Sequence, residues 1–88
     1  MGRRFIKDPH ILYEFFGDEG MIFSLNNYLT QVLNRIAFNI FDLTDGERYE
    51  NDIIKIIKEE YGIDEEAVRE DISNFYNNLL KKGIVHPI

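Results

Sequence analysis

At Asn34 the spacing of apolar residues changes period, and this change constrains the fold more than any other feature of the chain. Upstream, apolar residues fall in three short runs, at 11–16, 21–25 and 28–33. The runs are rich in aromatic and branched residues, as strands are. Gly17-Asp18-Glu19-Gly20 separates the first two, and Asn26-Asn27 separates the second and third. Gly, Asp and Asn all favour tight turns. Runs this close in sequence pair most simply as an antiparallel three-stranded meander. Downstream, Ile36, Ala37, Ile40, Phe41 and Leu43 follow helical spacing. Asn34 itself suits the N-cap.

The first helix is expected to stop at Asp45-Gly46. A second helix fits residues 49–61, with Ile53, Ile54, Ile56 and Ile57 as its apolar face and Gly62 as its stop. The third has Asp64 as N-cap, Glu65 and Glu66 in its first turn, and Lys81 and Lys82 in its last. Both charge placements suit the helix dipole. Val68, Ile72, Phe75 and Leu79 form its core stripe, and Gly83 closes it. Ile84-Val85 reads as a short extended tail, and residues 1–10 as a polar lead-in ended by Pro9. The order is β-β-β-α-α-α, an α+β fold in one domain spanning residues 1–88.

Composition narrows the function. The chain has 44% hydrophobic and 30% charged residues, which suits a soluble globule. No cysteine is present, so disulfides, thiolate metal sites and cysteine nucleophiles are ruled out. No stretch suits a signal peptide or approaches a membrane span, and the expected location is the cytoplasm. The net charge of −6 argues against nucleic acid as a partner.

Catalytic groups do not assemble. His10 and His86 lie near opposite ends of the chain with no metal-ligand spacing around them. The pairs Glu59-Glu60, Glu65-Glu66 and Glu70-Asp71 are sequence neighbours that do not face one another on a helix. Asp71 alone borders the core stripe. Ser24 and Ser73 have no partner base, and the glycines form no phosphate-cradling loop. Asp42, Asp45 and Glu47 lack the alternation of a calcium loop. The expectation is a binding protein with no catalytic residue, metal or cofactor.

Two features remain. Tyr76 and Leu80 flank the core stripe of the third helix, with Arg69 and Ser73 beyond them. This width serves either packing against the second helix or one wall of a groove. Thr30 and Gln31 interrupt the apolar character of the third strand, as in an edge strand, and an exposed edge invites another strand.

Several residues in fixed order carry a resemblance. They are Leu33-Asn34, Ala37, Ile40-Phe41, Leu43 and Asp45-Gly46, then Glu59-Glu60-Tyr61-Gly62 and the run 64–68, then Asp71-Ile72, Phe75, Leu79 and Gly83-Ile84. In these the chain resembles the PqqD-like proteins, peptide chaperones of coenzyme PQQ biosynthesis, over residues 11–85. Their fold is shared by the recognition elements of ribosomally made, modified peptides. The family usually has Trp where Phe41 stands, and often Thr or Ser where Ile36 stands.

The resemblance implies a winged helix-turn-helix-like fold. It also implies that a leader peptide docks as an extra strand between the third strand and the third helix. The groove would lie between Tyr28, Leu29, Thr30, Gln31 and Val32 on one side and Arg69, Ile72, Ser73 and Tyr76 on the other. The partner enzyme in the family is often a radical SAM protein, although the fold serves many pathways. The rival reading is a winged-helix DNA-binding regulator using the third helix for recognition. Glu65, Glu66, Glu70 and Asp71 against Arg69 would repel phosphate. The open edge also permits homodimerisation by strand pairing or swapping.

Overall fold

The structure is a computed structural model that describes residues 2–88; Met1, the first residue of the expected domain, lies outside the described residues. Eight elements follow in order: β1 (Phe5–Lys7), β2 (Ile11–Phe16), β3 (Glu19–Ser24), β4 (Thr30–Asn34), α1 (Arg35–Leu43), α2 (Glu50–Tyr61), α3 (Glu65–Lys81) and β5 (Val85–Pro87). The expected meander is the antiparallel sheet β2-β3-β4, and the three helices follow it. The α+β class and the order of these six elements stand as read from the sequence.

The two ends of the chain form a second sheet, which the apolar spacing did not announce. Phe5, Ile6 and Lys7 pair antiparallel with Pro87, His86 and Val85. Residues 5–7 are therefore a strand and not a polar lead-in. Phe5 is buried, and so are Ile84 and Val85 at the other end. Three hydrogen bonds extend the clasp, from Ile88 N–H to the Arg4 carbonyl (2.9 Å), from Glu50 N–H to the Arg3 carbonyl (2.6 Å) and from Asp8 N–H to the Ile84 carbonyl (2.9 Å).

Each helix starts and stops for a local reason. Asn34 caps α1 by accepting from the Ala37 N–H at 2.8 Å. The helix ends before the expected Gly46, because Thr44 closes it. Thr44 returns its N–H to the Phe41 carbonyl and its hydroxyl to the Ile40 carbonyl. Asp52 accepts from the Tyr49 N–H at the head of α2, and Gly62 ends that helix at φ 62°. Asp64 caps α3, accepting from the Ala67 N–H.

The helices cover one face of the sheet. Ile22 and Leu33 point inward to meet Phe41, Ile53, Ile57, Ile72 and Leu79. Phe41 makes an edge-on contact with Tyr13 at 5.1 Å, so the aromatic replacing the family's Trp is a core residue. On the opposite face Leu12, Phe16, Met21 and Val32 are exposed. No helix among the described residues is long and apolar enough to cross a membrane.

Candidate functional site

The register of β4 decides which of its backbone groups are free. Its partner is β3, and among the described residues no strand pairs with its other side. The hairpin closes with the Ser24 N–H on the Leu29 carbonyl at 2.9 Å. In an antiparallel ladder, hydrogen-bonded and non-bonded pairs alternate. Ile22–Gln31 and Gly20–Leu33 are then the bonded pairs, whereas Phe23–Thr30 and Met21–Val32 are not. Thr30 and Val32 consequently aim their N–H and C=O groups at the open edge. The Val32 side chain is exposed on the outer face, and Leu33 is buried on the inner one.

Tyr28 and Leu29 precede the strand instead of belonging to it. The turn places Tyr28 at φ 55°, an uncommon conformation for a bulky residue, and leaves its side chain exposed. The two asparagines ahead of it are engaged elsewhere. Asn26 donates to Asp8 at 3.2 Å. Asn27 accepts from the Ser24 hydroxyl at 2.7 Å and donates to the Lys82 carbonyl at 3.2 Å. The turn is thus tied to the end of α3.

A second tie fixes which side of α3 faces β4: the Lys82 ammonium donates to the Gln31 side chain at 2.9 Å. Lys82, Asn78, Phe75 and Asp71 lie on one stripe of the helix at spacings of three and four. Where β4 gives way to α1, this stripe borders a cleft of about 290 Å³, lined by Ala37, Ile40, Ile63, Val68, Asp71 and Phe75 among others. Asn34, the last residue of β4, also lines this apolar cleft, so the open strand edge leads into it, and edge and cleft together make the candidate groove, with α3 on one side.

Three of the four helix residues expected in that groove lie on the opposite flank. Arg69 donates to Asn51 of α2 at 3.0 Å and to Glu65 at 3.1 Å. Ser73 accepts from Arg3, whose guanidinium also pairs with Glu50 at 2.8 Å. Tyr76 is completely buried, stacks on Phe5, and shares a 2.6 Å hydrogen bond with Thr44. Burial pushes the Tyr76 hydroxyl up to about 12, against the opposing pull of the Thr44 hydrogen bond. Such a group is a neutral core hydroxyl. The width of the α3 apolar face is therefore packing against α2 and β1. Ile72 is also fully buried and reaches the groove only as part of the cleft lining.

The residues that do border the groove are Asp71 and Phe75 of α3 and Lys82 just past its end. Phe75 sat in the expected core stripe, and the structure leaves it half-buried. One available signal was Asp71, a carboxylate beside an apolar stripe with no helical cation at i±4. Among the described residues no group of three or more His, Asp or Glu side chains is placed to hold a metal ion.

Comparison with known proteins agrees with this architecture. The family described as coenzyme PQQ synthesis protein D (PqqD) matches residues 17–85, most of the chain. The chain belongs to the PqqD family. Among solved structures it is similar to TbiB1, determined in complex with the TbiA(beta) leader peptide, with a TM-score of 0.83 at 20% identity. That likeness covers 92% of this chain and 94% of the other, and it shows a shared fold. No curated protein sequence matches. The PqqD match begins at the β2–β3 turn, so β1 and β2 lie outside it.

Proposed function

We propose that this PqqD-family protein binds the leader segment of a ribosomally made precursor peptide and presents it to a modifying enzyme. The observation that carries the proposal is the unpaired edge of β4 lying directly beside the cleft under α3. A leader entering there adds a fourth strand. Thr30 and Val32 exchange backbone hydrogen bonds with it, and the cleft takes an apolar side chain. Main-chain bonding gives affinity with little sequence demand, and the cleft gives register. Family membership and the leader peptide on the structurally similar TbiB1 support the same reading.

In this reading the protein is a binding partner and the chemistry belongs to the enzyme it serves. A radical SAM enzyme is the partner most in keeping with the family, acting in the cytoplasm. The whole chain serves as one recognition domain, and PQQ is one of several products such a pathway could make. A second copy pairing through β4 would occupy the same edge, so dimerisation and leader binding compete. The DNA-binding reading is disfavoured by the acidic surface of α3. There Glu65 is already paired with Arg69 and Lys58, leaving little positive charge for phosphate.

The test is an amide-resolved NMR titration with the leader of the precursor encoded beside this gene. Shifts concentrated at residues 30–34 and at Asp71, Phe75 and Lys82 are expected. Saturating leader that leaves those amides unmoved, with duplex DNA moving α3 instead, would overturn the proposal.

A further inference from the structure

The groove is electrically asymmetric along its length. At the β4–α1 junction its rim carries Asp71, which forms no hydrogen bond or ion pair with any described residue. At the opposite end stands Lys82, whose ammonium bonds only the neutral Gln31 amide. Arg35, which follows Asn34 at this end, leans away, and Arg69, two residues before Asp71, is engaged with Asn51 and Glu65. The Arg35 guanidinium lies over the Phe15 ring, with Asp18 at 3.8 Å. Asn74 and Asn78, between the two charges on the helix, are neutral.

Direction follows from the strands. β4 runs from the Lys82 end toward the Asp71 end, since Gln31 meets Lys82 and Asn34 borders the cleft beside Asp71. Every pair in this sheet is antiparallel, and antiparallel pairing is the more stable kind. A guest strand antiparallel to β4 enters at Asp71 and leaves at Lys82. Asp71 and Lys82 are eleven residues apart on a helix, or about 16 Å at 1.5 Å per residue. An extended strand covers that distance in about five residues. Because alternate residues share a face, the spacing on the guest is four or six.

Building on the strand-addition reading, we propose that Asp71 and Lys82 set the orientation and sequence preference of the bound peptide. The preferred guest carries a bulky apolar residue for the cleft, with a Lys or Arg two residues away on the same face. An Asp or Glu follows four or six residues after that cation, toward its C-terminus. A peptide of opposite polarity meets like charge at both ends of the groove. The protein's net negative charge, spread over other surfaces, does not supply this pattern.

Two synthetic peptides of identical composition test it by fluorescence anisotropy at low salt. One places Lys two residues from the apolar anchor and Glu four residues after the Lys, all on one face; the other exchanges Lys and Glu. The first should bind about tenfold more tightly, in keeping with two weakly screened ion pairs, and the gap should shrink at high salt. The Asp71→Lys, Lys82→Glu double variant should reverse the preference. Asp71 is exposed and Lys82 half-buried, and a circular-dichroism melt checks that the fold is retained. Asp71→Asn, which removes one charge without adding another, should narrow the gap. Equal binding of both peptides, with NMR shifts at Val32, would overturn the charge preference while leaving strand addition intact. Tighter binding of the exchanged peptide would overturn the orientation. Failure of both peptides to bind, while the natural leader binds, would overturn the motif.

Discussion

The Phe5 and Tyr76 rings stack with their centroids 4.3 Å apart and their planes 22° from parallel. This contact fastens the N-terminal strand to the middle of α3, and both rings are shielded from water. Phe5→Ala should therefore cost about 3–5 kcal/mol, the usual range for truncating a buried Phe. For a small domain that is a large share of total stability. Tyr76→Phe keeps the stack and loses the hydrogen bond to Thr44, so it should cost only about 1 kcal/mol. Tyr76→Glu should not fold. Urea unfolding of the three variants, followed by circular dichroism, checks the order.

The clasp shows where the sequence was legible and where it was not. Three strands and three helices announce themselves because each has a run of residues at its own period, with caps such as Asn34 and Asp64 at the boundaries. β1 and β5 have three residues each, too few to display alternation, and their partners lie at opposite ends of the chain. Arg3-Arg4-Phe5-Ile6-Lys7 looks polar because the burial of Phe5 depends on residues some 70 positions away. The groove was legible as an edge beside a helix, but its helical wall was not. Phe75 and Tyr76 are adjacent aromatics on α3. Which one faces the core and which the groove depends on how the helix is rotated, and Lys82 meeting Gln31 fixes that rotation.

Asp8 makes the clasp sensitive to acid. Its carboxylate accepts from His86 at 2.7 Å and from the His10 N–H at 2.8 Å, and these bonds hold its pKa below the ordinary value. A lowered folded-state pKa gives stability that is complete above the unfolded value, near 4. It is lost as pH falls through the lower folded value. The melting temperature should drop on acidification below about pH 4, and Asp8→Asn should flatten that part of the profile. A thermal melt series from pH 6 downward on both proteins provides the comparison.

Gly20 lets α1 lie close on the sheet. A Cβ at this position would stand 2.2 Å from the Phe38 Cδ1 and 2.9 Å from its Cβ, so more than a rotation of the ring is needed to make room. Gly20→Ala should cost about 1–3 kcal/mol by overpacking. Phe38→Ala in the same chain should recover part of that loss, giving a measurable coupling between the two sites. A double-mutant cycle of denaturation free energies detects it; strictly additive costs would mean that α1 shifts freely.

The alternation along β4 allows a proline scan to separate folding from peptide binding. The Val32 N–H points to the open edge, and proline is tolerated in an edge strand where the lost donor faces outward. Val32→Pro should melt within a few degrees of the parent, because Val32 is already exposed and contributes little to the core. It should weaken leader binding at least tenfold, since the guest loses a main-chain donor and meets the ring instead. Gln31→Pro removes an N–H that bonds to Ile22 in the ladder and should destabilise the sheet itself. Calorimetric melts and leader titrations on the two variants distinguish the effects. If Val32→Pro folds and still binds the leader at full strength, the peptide does not add to this edge.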